Sequence, residues 1–463
     1  MKQSKQTGRD TAVYRQTAAL ALVILVFLTG CSLLSGPPQP VIPTPLPTPP
    51  PFSAEAAVSG EPVFDPVSSV VPAVDADIQS LLNQVSQQQL TGYVQTLESF
   101  GTRNSYSATD REDFGIGAAR LWIHNEFLRV GNGRLQVQFQ PFILNYNGLA
   151  VEQQNVVATL PGKGNHPGLV VITAHYDTRP ADITDGVSLA PGADDNASSV
   201  AMMLETARLL SSREWNQTVV FVATAAEEQG TFGARQFVTD AFLNNVPILA
   251  AMNYDIVGGR LGIPQSIRLF APDLLLSPSG ALARYYDLVS GLYVPTFPIT
   301  IINALDREGR WGDHREFVKA GVAAVRLTES EEDPSLLNSV KDSWDLIDYH
   351  YLQQVTQLNL AIVANAIGAP PPPAAPAIAP MADPGSFILT WTRDPEAAGY
   401  IISFRPLDSP EFAPFRFVSG LQAGNVVLTG FEPDTPYAVS LAALSASGRV
   451  SLFSPEIIIE PSP

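Results

Sequence analysis

The chain has 463 residues, a formal net charge of −18 and 45% apolar residues, which is more than one ordinary domain holds and enough to build real cores. The acidic balance disfavours nucleic acid and anionic lipid as partners. A single cysteine, Cys31, excludes any intramolecular disulfide.

The N-terminal segment reads as targeting sequence. Lys2, Lys5, Arg9 and Arg15 form a basic region ahead of the apolar run TAALALVILVFLTG at 17–30. That is the pattern of a signal peptide, and the run is short for a membrane span. It ends in LTGC (28–31), which resembles a bacterial lipobox. A lone cysteine in an exported chain needs a purpose, and lipid on Cys31 supplies one, because two or three acyl chains anchor a protein firmly. The expectation is a membrane-anchored lipoprotein of the bacterial cell envelope, outside the cytoplasm. Residues 31–76 follow as a linker, with the proline-rich run GPPQPVIPTPLPTPPPF at 36–52 extended as polyproline II.

From 77 to 368 helical and strand patterns alternate. DIQSLLNQVSQQQLTGYVQTLESF (77–100) and FGIGAARLWIHNEFLRVG (114–131) carry helical apolar spacing. QVQFQPFIL (136–144) alternates like a half-buried strand. NVVATLPG, GLVVITAHYDT, QTVVFVATAAEE and LAAMNYDIVG are apolar runs that predict buried strands, and ASSVAMMLETARLLSS (197–212) predicts a helix between two of them. The fold class is α/β, a mixed sheet flanked by helices. A second proline-rich linker at 369–380 precedes short alternating strands in 381–463. These predict a small all-β sandwich. It resembles fibronectin type III, with Trp391 in an early strand and Tyr437 at the tyrosine-corner position. Both are expected in packing and a corner hydrogen bond rather than in chemistry. A protein or carbohydrate partner, or a spacer role, is open for this domain.

The strand ends carry the chemistry. ITAHYDTRP (172–180) places His175 and Asp177 where an apolar run finishes. Taken alone, the pair fits polar residues at an exposed strand end. PGADDNASS, AAEEQG and MNYDIVG supply acidic residues at three further such positions. The carboxyl ends of strands in open α/β sheets line the ligand crevice. Several carboxylates gathered there repel one another unless a cation intervenes, and imidazole with carboxylates but no thiolate suits zinc.

In this combination and order, HYD, PGADDNAS, AAEEQG and NYDIVG resemble the co-catalytic zinc aminopeptidases of metallopeptidase family twenty-eight. Glutamate carboxypeptidases and glutaminyl cyclases are relatives of that family. The resemblance extends over ESFGTRNS (98–105), WGDHREFVKAGVAAVRL (311–327) and KDSWDLIDYHYLQQVTQLNLAIV (341–363). It implies a three-layer zinc-exopeptidase fold and a zinc exopeptidase acting on peptide substrates, which the N-terminal segment makes an exported, lipid-anchored one. An aminopeptidase is favoured, because no long insertion separates Asp177 from Asp195. It further implies that His175 and Asp255 bind one zinc and that Asp195 bridges to a second. Asp177 orients the imidazole, Glu228 binds the second metal, and Glu227 is the general base. The family's late histidine ligand is replaced by Asn338, so one zinc is expected firmly bound and the second weak or absent. His314 and Trp311 fall near the substrate pocket, and His314 is the candidate to replace the missing ligand. Two alternatives stay open: a non-catalytic relative that binds peptides or a protein partner, and a glutaminyl cyclase-like transferase.

Overall fold

The structure, a computed structural model, describes residues 63–64, 68, 70–164, 166–412, 415–421, 423–432 and 434–460. The segment expected to be a signal peptide, Cys31 and the proline-rich run at 36–52 lie outside the described residues. At the centre is an eight-stranded sheet. Its order is β2 (Gln136–Tyr146), β3 (Leu149–Leu160), β5 (Thr218–Thr224), β4 (Leu169–His175), β6 (Ile248–Tyr254), β9 (Ala324–Glu329), β7 (Ile267–Ala271) and β8 (Ile299–Asn303). Strands β5, β4, β6 and β9 are parallel. The β2–β3 hairpin and β7 join antiparallel to β5 and β9, so the sheet is mixed as expected.

Side chains alternate across a strand, so a sheet covered on both faces needs apolar residues at every position. The β4 and β5 runs meet that demand. Val170, Ile172 and Ala174 with Val219, Phe221 and Ala223 enter one core. Val171, Val220 and Val222 enter the other. The larger core is covered by α1 (Ala76–Leu82), α2 (Gln87–Ser99), α3 (Gly115–Gly131), α4 (Ser199–Leu210), α6 (Pro278–Tyr293) and α8 (Tyr349–Gly368). The smaller is covered by α5 (Phe232–Leu243) and α7 (His314–Lys319). Helix, sheet and helix make the three layers. The parallel direction of β4, β5 and β6 brings their carboxyl ends to one edge.

The C-terminal strands are β10 (Ala377–Pro380), β11 (Phe387–Thr390), β12 (Gly399–Pro406), β13 (Arg416–Ser419), β14 (Asn425–Leu428), β15 (Tyr437–Leu444) and β16 (Ile457–Ile459). They form two four-stranded sheets, β1–β14–β11–β10 and β13–β12–β15–β16, where β1 is Val63–Phe64. Trp391 meets Tyr400 edge-on at 5.4 Å in the core between them. The Glu432 N–H donates to Tyr437 Oη at 3.2 Å. Two expected linkers contribute strands here. β1, from the stretch read as linker, pairs parallel with β14 and covers its edge. β10, the end of the second linker, is an edge strand, where proline costs no ladder hydrogen bond.

The sandwich is not a tethered bead. Ile401, Ala442, Leu444, Val450 and Leu452 belong to the same apolar cluster as the larger core of the α/β domain. Tyr285 Oη donates to the Val450 carbonyl at 2.9 Å, and Arg284 pairs with Glu456 at 2.7 Å. Arg449 pairs with Asp75 at 2.8 Å, just ahead of α1.

Candidate metal centre

His175 closes β4 with both ring nitrogens engaged. Nδ1 lies 3.1 Å from the backbone carbonyl of Asp177 and 3.6 Å from its carboxylate. An Nδ1–H donated to that carbonyl leaves the Nε2 lone pair facing inward. There Nε2 sits 3.3 Å from Asp195 Oδ1 and 3.4 Å from Asp255 Oδ1. All three residues are buried, and one ligand atom from each lies within 4.8 Å of the other two. A lone pair facing two carboxylate oxygens is repulsive without a cation. Burial pulls the His175 pKa down, but Glu227, Asp177, Asp195 and Asp255 outweigh it and raise it well above its usual value. The cluster therefore demands positive charge at this point. One nitrogen and two carboxylate oxygens, with no thiolate, fit zinc and leave a coordination position open.

Each of these candidate ligands is held from behind. Asp255 follows β6 and turns its other oxygen to the buried Arg326, 2.9 Å away. Burial would raise its pKa, but Arg326 and His175 hold the carboxyl well below the ordinary range. Asp195 sits in the tight turn Ala193–Ser198. Asp342 accepts from the Asp194 N–H at 2.7 Å and the Asp195 N–H at 3.0 Å. Gly192 enters this turn at φ +54°, where a Cβ would lie 2.2 Å from Thr178 Cγ2 and 2.5 Å from the Asp195 carbonyl oxygen. The fully buried Arg103 ties the two ligand loops together. Its Nε donates to the Tyr176 carbonyl at 2.7 Å, and its Nη atoms donate to Pro191 at 2.6 Å and Gly192 at 2.7 Å.

The AAEE segment turns sharply after β5, with Ala226 at φ +57°. The two carboxylate oxygens of Asp177 accept the Glu227 and Glu228 N–H groups at 3.1 and 3.2 Å. Asp177 thus serves the imidazole through its carbonyl and the glutamate turn through its carboxylate. Burial pushes the Glu227 carboxyl well above its ordinary pKa; His175 opposes this, while Asp255, Glu228 and Asp313 add to it. A carboxylate so raised is a stronger base, suited to accept a proton.

Glu228 faces different partners. Arg179 Nε donates to its Oε2 at 2.7 Å. The Asn338 amide, oriented to satisfy both neighbours, donates to Glu228 Oε1 at 2.9 Å and accepts from Arg179 Nη2 at 3.2 Å. His314 does not reach these groups. It is fully enclosed, with Nε2 2.6 Å from the Leu305 carbonyl, and burial lowers its pKa to about 4. It therefore stands in for no ligand and lines no open pocket. Trp311 is 45% exposed with Arg315 over its ring at 4.5 Å. Sequence reasoning gave Arg103, Arg179, Arg326 and Asp342 no role. Arg103 and Asp342 lie in stretches quoted for the resemblance, and Arg179 follows HYDT directly.

Residues 155–363 match the model of peptidase family M28. A probable zinc metalloprotease of Pyricularia oryzae is 30% identical over 475 residues, covering 89% of this chain and 93% of its own length. Another, of Leptosphaeria maculans, is 33% identical over 342 residues, covering 66% and 79%. Among solved structures, Legionella pneumophila LapB superposes with a TM-score of 0.52 at 25% identity, covering 62% of this chain and 74% of its own. The LapA aminopeptidase of the same organism superposes with a TM-score of 0.52 at 20% identity, covering 64% and 76%, and shares the fold. The curated relatives are fungal, which points to a eukaryotic chain and overturns the expected bacterial envelope lipoprotein. Among the described residues, no helix is long and apolar enough to cross a membrane.

Proposed function

We propose that this chain, which belongs to peptidase family M28, is a zinc-dependent exopeptidase of the aminopeptidase form. The observation that carries the reading is the convergence of His175 Nε2, Asp195 Oδ1 and Asp255 Oδ1 beside the raised carboxyl of Glu227. His175, Asp195 and Asp255 hold the metal. When bound, zinc supplies Lewis-acid polarisation of the scissile carbonyl and of water. Glu227 takes a proton from the attacking water and returns it to the leaving amine. Asp177 fixes the amide N–H groups of Glu227 and Glu228 and so sets where the base points. Arg326 keeps Asp255 ionised for its ligand role. The fold shared with a solved aminopeptidase supports the aminopeptidase form. The C-terminal sandwich, read as fibronectin type III-like, buttresses the α/β domain through the apolar cluster they share.

The test is Glu227→Gln in the purified protein, assayed for bound zinc and for chelator-sensitive release of nitroaniline from aminoacyl-nitroanilides. Zinc content stays at the wild-type value, while kcat falls by about 10²–10⁴, the usual contribution of a positioned acid–base group. A variant that retains wild-type kcat refutes the role of Glu227. A wild-type protein that binds zinc and cleaves no member of an aminoacyl and peptidyl panel refutes the enzyme and leaves a peptide-binding relative.

A further inference from the structure

The family resemblance implies a second zinc held by Asp195, Glu228 and a late histidine, and the residues present do not fit it. Each oxygen of Glu228 already accepts a hydrogen bond: Oε2 from Arg179 Nε at 2.7 Å and, with the amide oriented to satisfy both neighbours, Oε1 from Asn338 at 2.9 Å. The amide oxygen of Asn338, the one atom that could replace the imidazole as ligand, accepts from Arg179 at 3.2 Å. Asn338 is thus not merely a weaker ligand in an otherwise open site. It completes a closed ring of three side chains. Arg179 belongs to that ring rather than to bulk solvent, since its side chain is 28% exposed and that of Glu228 9%. Asp195, Glu227 and Glu228 all act electrostatically on the Arg179 guanidinium. While burial and Asp195 still push the Glu228 carboxyl up to about 8, the electrostatic need that a second metal meets in a cluster of carboxylates is met in part by a covalently attached cation. Its planar fork suits carboxylate and amide oxygens, and it stays charged at any working pH.

We propose that the Arg179 guanidinium occupies the place of the second metal, so that this chain works with one zinc and a built-in cation. The inference rests on the metallopeptidase reading above and deepens it. It also carries a consequence that a simple loss of one ligand does not. Restoring the histidine alone leaves Glu228 still paired with Arg179, so it restores no metal. The second site opens only when the arginine is removed as well.

The experiment measures zinc equivalents in the full chain, stripped with chelator and titrated calorimetrically, with cobalt absorption as an independent readout of each coordination sphere. Wild type and Asn338→His each bind one equivalent. The double variant Arg179→Ser/Asn338→His binds two, and a second cobalt spectrum appears. Two equivalents in wild type or in Asn338→His overturn the inference and leave the metallopeptidase reading intact. A folded double variant that stays at one equivalent also overturns it. No binding in any of the proteins overturns the metallopeptidase reading itself. Should the double variant fail to fold, as judged by circular dichroism, the wild-type and single-variant stoichiometries still decide between one site and two.

Discussion

Arg103→Lys tests whether the metal centre depends on a buried cation that touches no ligand side chain. The guanidinium makes four side-chain hydrogen bonds, to the carbonyls of Leu97, Tyr176, Pro191 and Gly192. These acceptors lie on three separate segments: α2, the end of β4, and the loop that leads to Asp195. A lysine ammonium is a single point on a flexible stem, whereas the guanidinium is a rigid fork with donors on several sides. The ammonium can reach no more than about half of these carbonyls. Two lost charge-assisted bonds at about 1.5–3 kcal/mol each give a destabilisation of about 3–6 kcal/mol. Domains have only about 5–15 kcal/mol in total, so the loss is large, and alanine in its place would leave all four acceptors without this donor.

The loss should not be confined to stability. Pro191 and Gly192 lead directly into the turn that carries Asp195, and Tyr176 lies between His175 and Asp177. Loosening both anchors lets the two ligands drift apart, and each 1.4 kcal/mol of lost preorganisation costs about tenfold in zinc affinity. The assay is urea unfolding with and without zinc, together with a competitive zinc titration. The expected result is a lower midpoint in both forms and a zinc affinity reduced by about tenfold or more. A variant destabilised by less than about 1 kcal/mol, with wild-type zinc affinity, would refute the claim that Arg103 staples the two loops.

Two further outcomes follow from burial. His314 is held neutral by enclosure, with its pKa lowered from 6.5 to about 4. The unfolded chain binds the extra proton first, so this stability is fully present above pH 6.5 and is lost as pH falls toward 4. The loss is about 3 kcal/mol at about 1.4 kcal/mol per pH unit, and His314→Asn should flatten that part of the urea-midpoint profile against pH; an unchanged slope contradicts it. Ending the chain after residue 368 should remove Val450, which bonds to Tyr285 of α6 and Asn365 of α8, together with Ile401 and Leu452 of the shared apolar cluster. The expected result is a lower melting temperature and aggregation on light scattering, and a truncated protein that melts with the full chain would show the shared core to be dispensable.

The layers were legible because each depends on a local pattern. The unbroken apolar runs of β4 and β5 could be satisfied only by a sheet covered on both faces, and the strand ends marked the crevice. His175 and Asp255 were readable because they stand at the ends of β4 and β6 and differ in type from the runs they terminate; Asp195, expected at a strand end as well, stands instead in the turn that leads into α4. The edge strands β1 and β10 were not readable. β10 ends a proline-rich run and β1 is two residues long, so neither shows a period-2 signal, and what fixes such strands is the need of another strand for a partner. The groups behind the ligands were hidden for a similar reason. Arg103, Arg326 and Asp342 are charged residues that sequence habit places on the surface, and only the assembled fold shows that their counter-charges and carbonyls are buried with them. Arg179 is the sharpest case. In HYDTRP it reads as a polar residue leaving a strand. Its meaning lies in Glu228, 49 positions along the chain, and in Asn338 beyond that. A missing histidine, read along the sequence, signals a weakened metal site. With Arg179 placed against Glu228, the same substitution becomes one half of an exchange in which an arginine takes over the charge of a metal.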